Sequence, residues 1–159
     1  MKLLTFTALE ITNKFIRIPK TESKLLKEQF EEAFCDIESG SYIDYKREFG
    51  YMLWDCMIGG PVVLTIEQIN TNPPFTGDVY VFWDVPEMSK ELHILGRDYV
   101  HKMTFKEFML NFYSFPQETY VFNEEFQHAI VLSHEYFHEH LQNFCLYTPA
   151  EKDNWYKFC

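Results

Sequence analysis

The chain has 159 residues, of which 47% are hydrophobic and 18% aromatic, so it can build one domain with a sizeable core and is too apolar for a disordered chain. Its 14 basic and 24 acidic residues give a net charge of −10, which disfavours binding to nucleic acid and to anionic membranes. No apolar run is long enough to span a bilayer, and residues 1–10 lack the cleavage site of a secretory signal. We therefore expect a cytoplasmic protein.

The first third of the chain predicts a strand followed by a helix. Residues 14–18 alternate between polar and apolar side chains up to Pro19, as a half-buried strand does. Residues 22–38 place apolar side chains at helical spacing, and Thr21 is a suitable N-cap. The apolar positions of this helix are Leu26, Phe30, Ala33, Phe34 and Ile37.

The middle of the chain is less uniform. Residues 44–58 fit one face of a helix, which we favour, although a strand that turns at Gly59-Gly60 fits as well. Residues 62–69 read as a strand. Residues 79–85 are apolar on both faces, which predicts a strand in the centre of a sheet.

A clear start signal for a helix follows a short strand at residues 97–103. Thr104 and Glu107 have the spacing of a capping box, which predicts a helix over residues 105–114. The helix should stop at the Phe-Pro pair that follows. Residues 119–122 then read as another strand.

One segment of the sequence matches a catalytic motif. The sequence from His134 through Glu135 to His138 matches the H-E-x-x-H pattern of zinc hydrolases. In a helix the two imidazoles would lie roughly 6 Å apart on one face and could share a metal ion. In a strand, four residues of rise would separate them by roughly 13 Å. The chemistry therefore depends on the secondary structure of residues 129–138.

We expect a strand there. The apolar run Ala129–Ser133 contains adjacent β-branched residues, and Phe144–Tyr147 reads as a second strand, so the two would form a hairpin with its tip at residues 138–143. A helix over residues 125–144 is the alternative. The corresponding function would be a zinc-dependent hydrolase with His134 and His138 as ligands and Glu135 as base. Under the strand reading we expect no metal, no cofactor and no catalytic residue.

These elements together predict an α+β fold in a single globular domain over residues 1–159. We expect a mainly antiparallel sheet of about five or six strands, with two or three helices packed on one face. No repeat or Pro/Gly/Ser-rich linker divides the chain.

The segment from Asn111 to Phe137, "NFYSFPQETYVFNEEFQHAIVLSHEYF", resembles a segment of small uncharacterised bacterial proteins. In those proteins a helix ends in a Phe-Pro turn, a strand ends in Y-x-F-[D/N]-E, and a second strand ends in [T/S]-H-E. The resemblance implies that the His-Glu pair marks the end of a strand. The acidic, aromatic-rich profile is similar to that of immunity proteins that neutralise bacterial toxins.

We therefore predict a non-catalytic binding protein, namely an acidic immunity-type protein with a basic partner such as a toxin domain. The candidate partner-binding residues are Asp84, Glu87, Glu135, Tyr136 and His138. Besides the zinc hydrolase, a structural or adaptor domain is a further alternative.

Overall fold

The computed structural model describes residues 15–47, 52–84, 92, 95–138 and 141–149. In these ranges the α-helices are α1 (Lys20–Phe34), α2 (Gly40–Lys46), α3 (Ile66–Thr71) and α4 (Phe105–Asn111). The strands are β1 (Ile16–Arg17), β2 (Val62–Leu64), β3 (Asp78–Trp83), β4 (His101–Thr104), β5 (Thr119–Phe122), β6 (Ala129–Leu132), β7 (Phe137–His138), β8 (Leu141–Gln142) and β9 (Phe144–Tyr147). Short 3₁₀ turns lie at Leu53–Cys56, Phe112–Ser114 and His134–Tyr136.

Seven of these strands form one antiparallel sheet in the order β1-β4-β3-β5-β6-β9-β2. The predicted α+β class and mainly antiparallel sheet are thus confirmed, with one or two strands more than expected. The pairs are β1 with β4, β4 with β3, β3 with β5, β5 with β6, β6 with β9 and β9 with β2. Strands β7 and β8 form a separate hairpin that extends from β6 and β9.

Helices cover both faces of the sheet, so the prediction that they pack on one face was wrong. Phe30 and Phe34 of α1 pack on the face that carries Phe82, Tyr120 and Val131. On the opposite face, Val79, Val81 and Val121 pack against α3 and α4. The physical reason is visible in β3 and β5, whose side chains are apolar on both faces and would be costly to leave in water.

Helix α1 occupies Lys20–Phe34 and not residues 22–38, and its N-cap is Pro19 and not Thr21. It ends at Cys35, because that residue is extended and forms a β-bridge with Met57. Phe30 is fully buried at the centre of its packing face. Its ring lies 5.0–5.7 Å from four other aromatic rings, those of Phe34, Phe82, Tyr120 and Phe122.

Two predictions for the middle of the chain were wrong. Residues 44–58 do not form one helix, since α2 ends at Lys46 and the turn at Leu53–Cys56 is 3₁₀. The strand predicted over residues 62–69 ends at Leu64. There the Thr65 hydroxyl accepts from the backbone N–H of Gln68, while the Gln68 side chain accepts from the N–H of Thr65. This capping box starts α3 and overrides the apolar alternation.

The helix α4 and the strand β5 lie where the sequence predicts them. The Thr104 hydroxyl accepts from the N–H of Glu107 at 3.0 Å and starts α4 where predicted, although the last predicted turn is 3₁₀. Strand β5 covers residues 119–122 as expected. Within the described residues, no helix has the length and apolar character required to cross a bilayer.

Candidate functional site

Three chain segments meet at one end of the sheet. In the register, Trp83 of β3 lies opposite Thr119 of β5, and Thr119 lies opposite Leu132 of β6. The residues next to these three in the chain, beyond the strands, therefore lie at the same end of the sheet. They are Asp84 after β3, Glu118 before β5, and the turn at His134–Tyr136 after β6.

The segment that spells H-E-x-x-H is not an α-helix. After β6, the Ser133 hydroxyl accepts from the N–H of Glu135, and the Ser133 carbonyl accepts from the N–H of Tyr136, which closes a 3₁₀ turn. We call residues His134–Tyr136 the His134 turn. His138 lies beyond it in β7, where its backbone pairs with Leu141.

The strand predicted over residues 129–138 is therefore interrupted by a turn, but the predicted hairpin is present. The motif lacks the continuous helix that would bring both imidazoles to one face. Among the residues that the structure describes, no group of three or more His, Cys, Asp or Glu side chains is arranged to hold a metal ion.

His134 forms an ion pair with Glu118. The imidazole Nδ1 lies 2.5 Å from Oε1 of Glu118, and the backbone N–H of His134 donates to the same oxygen at 3.1 Å. The imidazole is half exposed, whereas only 4% of the Glu118 side chain is exposed. Oε2 of Glu118 is buried and has no hydrogen-bond partner within the described residues.

This arrangement raises the pKa of His134. The hydrogen bond to Glu118 is the main cause, and the negative charges of Glu118, Glu135 and Asp55 add to it, while partial burial opposes it. Carboxylates from three segments therefore favour the charged form of one imidazole, and Glu118 is the one in contact with it. The exposed ring carries positive charge over a wider pH range than an ordinary histidine.

A second turn is anchored at the same end of the sheet. We call residues Leu53–Cys56 the Leu53 turn. Oδ2 of Asp84 accepts from the N–H of Leu53 at 3.1 Å and from the Tyr120 hydroxyl at 3.2 Å. The Tyr120 hydroxyl in turn accepts from the N–H of Trp54 at 2.9 Å. Burial raises the pKa of Asp84 to about 6.

The two turns contact each other through Trp54 and His134, whose rings lie edge to face at 6.0 Å. Around this contact lie the exposed acids Asp55 and Glu135 and the partly exposed Tyr136. We call these five residues the sheet-end surface. Phe137, which continues the His134 turn, is also exposed. The surface thus combines acidic groups with aromatic rings.

A cleft of about 520 Å³ is lined in part by Asp84. Its lining includes three basic and three acidic side chains, namely Lys27, Lys46, Arg97, Glu31, Asp84 and Asp98. Several of these groups bind within the protein. Nζ of Lys46 donates to Glu31 at 2.8 Å, and Nζ of Lys27 donates to the carbonyl of Arg97 at 2.9 Å. This balance gives the cleft no net charge with which to attract an ion.

The predicted site residues are only partly brought together. Glu135 and Tyr136 lie in the sheet-end surface, and His138 follows in β7. Asp84 lies beneath the Leu53 turn, where its carboxylate binds protein groups. Glu87 lies outside the described residues.

Sequence reasoning missed Glu118, Trp54 and Asp55. Trp54 packs against the core with part of its ring, as many tryptophans do, so its type alone does not mark a surface site. Glu118 has a left-handed backbone, with φ of 68°, which no glycine or asparagine signals at that position. Its pairing with His134 depends on the register of β5 against β6, which a single sequence does not give.

Comparison with known proteins returned no matching family model, no matching curated protein and no matching solved structure.

Proposed function

We propose that this protein is a non-catalytic binding protein of the cytoplasm, an immunity-type protein of bacteria that neutralises a basic toxin domain. The observation that carries the proposal is the sheet-end surface, where exposed acids surround aromatic rings on two anchored turns. Such a surface suits a partner whose active site displays Lys and Arg side chains toward an anionic substrate.

The charge of the chain supports this choice of partner. Residues 28–159 carry twenty-two acidic and eight basic side chains. A field of this sign accelerates encounter with a basic protein and disfavours acidic ones. Asp55 and Glu135 place two of these negative charges beside the aromatic rings of the surface.

The aromatic residues supply the anchors. Large rings with a polar end contribute disproportionately to the affinity of protein interfaces, because they bury much area at a low cost in side-chain entropy. Trp54 and Tyr136 are such residues, and each is partly buried against the core, which limits the rotamers that it can adopt.

Both turns are fixed by carboxylates, the half-buried Asp84 and the buried Glu118, so binding would need little rearrangement. Asp84 accepts from the N–H of Leu53, and Glu118 accepts from the N–H of His134. Preorganised surfaces lose less entropy on association than mobile ones. This shared anchoring favours a binding surface over a loop that merely connects strands.

The test is co-expression with the product of the adjacent reading frame. The wild type should rescue growth and co-purify with that product. Asp55→Lys together with Glu135→Lys should abolish both effects, since two attractive charges become repulsive. The matched control is Glu124→Lys together with Glu125→Lys, which reverses two exposed acids at the opposite end of the sheet.

The control pair should behave as the wild type. Equal loss in both double variants would show that overall charge and not the sheet-end surface is responsible. Failure of the wild type both to rescue growth and to form a complex would refute the immunity proposal. A complex without growth rescue would instead identify an adaptor.

A further inference from the structure

The carboxylate of Glu118 is buried but incompletely bonded. Oε1 accepts from the backbone and the imidazole of His134, whereas Oε2 has no hydrogen-bond partner within the described residues. An ionised carboxylate can accept about four hydrogen bonds, and a buried one that lacks them carries a free-energy cost. Glu118 therefore retains capacity for a further cationic donor.

The group that covers this carboxylate lies at the surface. The imidazole of His134 is 53% exposed and belongs to a short turn at the surface. Rotation about its first side-chain torsion would carry the ring into solvent and leave the bond from the His134 backbone in place. That rotation opens Oε1 to another donor without disturbing the core.

A guanidinium group fits the vacated position better than an ammonium group. Its planar fork donates to both oxygens of one carboxylate, so it can satisfy Oε2 as well as Oε1. The ring of Trp54 stands beside His134, and aromatic faces attract guanidinium ions. Asp55 and Glu135 add attraction for a cation at the same place.

We propose that Glu118 is the receptor for an arginine side chain of the basic partner, and that His134 covers Glu118 until that arginine replaces it. This inference rests on the proposed function and names the chemical group recognised at its surface. The incoming guanidinium would form two hydrogen bonds with the Glu118 carboxylate, and the displaced imidazole would turn to solvent.

Protonation of His134 should oppose this exchange, because an imidazolium binds Glu118 more strongly than a neutral ring. The groups that face His134 are Glu118, Glu135 of its own turn and Asp55 of the Leu53 turn. Affinity for the arginine should therefore rise as the pH rises through the pKa of His134.

Besides His134, the titratable groups that interact with the charge of Glu118 are Asp84 after β3, Tyr120 of β5 and Cys145 of β9. The hydroxyl of Tyr120 and the thiol of Cys145 stay protonated at neutral pH, since burial raises the pKa of both. Asp84, whose pKa is raised to about 6 by burial, titrates close to this range, so comparison with His134→Ala isolates the part of the pH dependence that belongs to His134.

The test uses a short glycine–serine peptide that carries arginines and its twin with lysines in the same places, each titrated into the protein by calorimetry and NMR. The wild type should bind the arginine peptide about tenfold more tightly than the lysine peptide. Glu118→Gln should remove that preference, whereas Glu125→Gln, an exposed acid at the opposite end of the sheet, should keep it.

His134→Ala keeps the carboxylate and removes its cover, so it should bind the arginine peptide at least as tightly as the wild type and with less dependence on pH. If Glu118→Gln fails to fold, this variant still tests whether the Glu118 carboxylate receives the arginine. The proposal is overturned if the wild type shows no binding or no arginine preference, if Glu118→Gln retains the preference, or if His134→Ala loses it.

The outcomes separate the two proposals. Loss of the partner in the Asp55 and Glu135 charge reversal, together with full binding by Glu118→Gln, would retain the binding surface and refute the arginine receptor. Full binding of the partner by the charge-reversed protein would refute the surface itself.

Discussion

Glu118 adopts a backbone conformation that a side chain of its type rarely occupies. Its φ of 68° lies in the left-handed region, which disfavours residues with a Cβ atom. The residue is also buried, and its N–H donates to the carbonyl of Leu132 in β6. Strain of this kind persists where the surrounding structure holds it, and it is commonest at functional sites. The conformation places the carboxylate beneath His134.

The ion pair predicts how His134 titrates. Because Glu118 raises the pKa of His134, Glu118→Gln should lower it toward the ordinary value of about 6.5. The wild-type pair should stabilise the fold fully below that value and lose its effect as the pH rises through the higher folded pKa. NMR titration of the imidazole protons measures both variants. An unchanged pKa in Glu118→Gln would show that the pair does not form in solution.

Asp84 should make stability depend on pH in the same direction as His134, over a more acidic range. Its pKa is raised from 3.8 to about 6, so the folded state binds its proton more tightly than the unfolded state does. The free energy of unfolding should therefore fall as the pH rises from about 4 to about 6, by at most about 3 kcal/mol.

Asp84→Asn should flatten that slope while leaving an oxygen that can accept from the N–H of Leu53. Urea unfolding at several pH values measures the difference. A wild type and variant with the same pH dependence would show that Asp84 is ionised as freely in the folded protein as in the unfolded chain.

At the scale of elements, α3 depends on a local signal. The reciprocal hydrogen bonds between Thr65 and Gln68 start the helix directly after β2. Thr65→Ala should lower the free energy of unfolding by about 1 kcal/mol, because it removes one half of the capping box. Thr76→Ala, at an exposed loop position, should change it by less than about 0.5 kcal/mol. Equal effects in the two variants would contradict the capping role.

The helices α3 and α4 and the strand β6 show which elements the sequence predicts and which it does not. The Thr104 cap stands beside a clear helical pattern, so α4 was predictable. The Thr65 cap lies inside an alternating apolar run, so the helix it starts was mistaken for a continued strand. Strand β6 was predictable from its β-branched run, but the turn after it depends on the Ser133 side chain capping the next residues.

The site was less predictable than the fold for a physical reason. Glu135 and Tyr136 could be proposed because they sit at the end of a recognisable strand. Trp54 and Glu118 join them only through the register of β3, β5 and β6 and through side-chain bonds to backbone groups. Contacts between residues far apart in the chain carry no local pattern. The H-E-x-x-H pattern was the most visible signal at this position, and the structure places its residues in a 3₁₀ turn and a short strand instead of a helix.

At the scale of the whole molecule, the two faces of the sheet pack against helices, whereas the surface proposed for binding lies at one end of the sheet. Helices cover both faces, and the β5–β6 turn at residues 123–128 occupies one end. The opposite end carries the Leu53 turn, fixed by the half-buried Asp84, and the His134 turn, fixed by the buried Glu118. A rigid core that presents two anchored turns is the arrangement expected of a protein that binds without large rearrangement.

The location of the interface tests this account most directly. Backbone hydrogen exchange should be compared between the protein alone and its complex with the co-expressed partner. Exchange should slow at the Leu53 turn and the His134 turn and stay unchanged at residues 123–128, at the opposite end of the sheet. Protection confined to that opposite end or to the outer faces of α1 and α4, with both turns unaffected, would contradict the central claim.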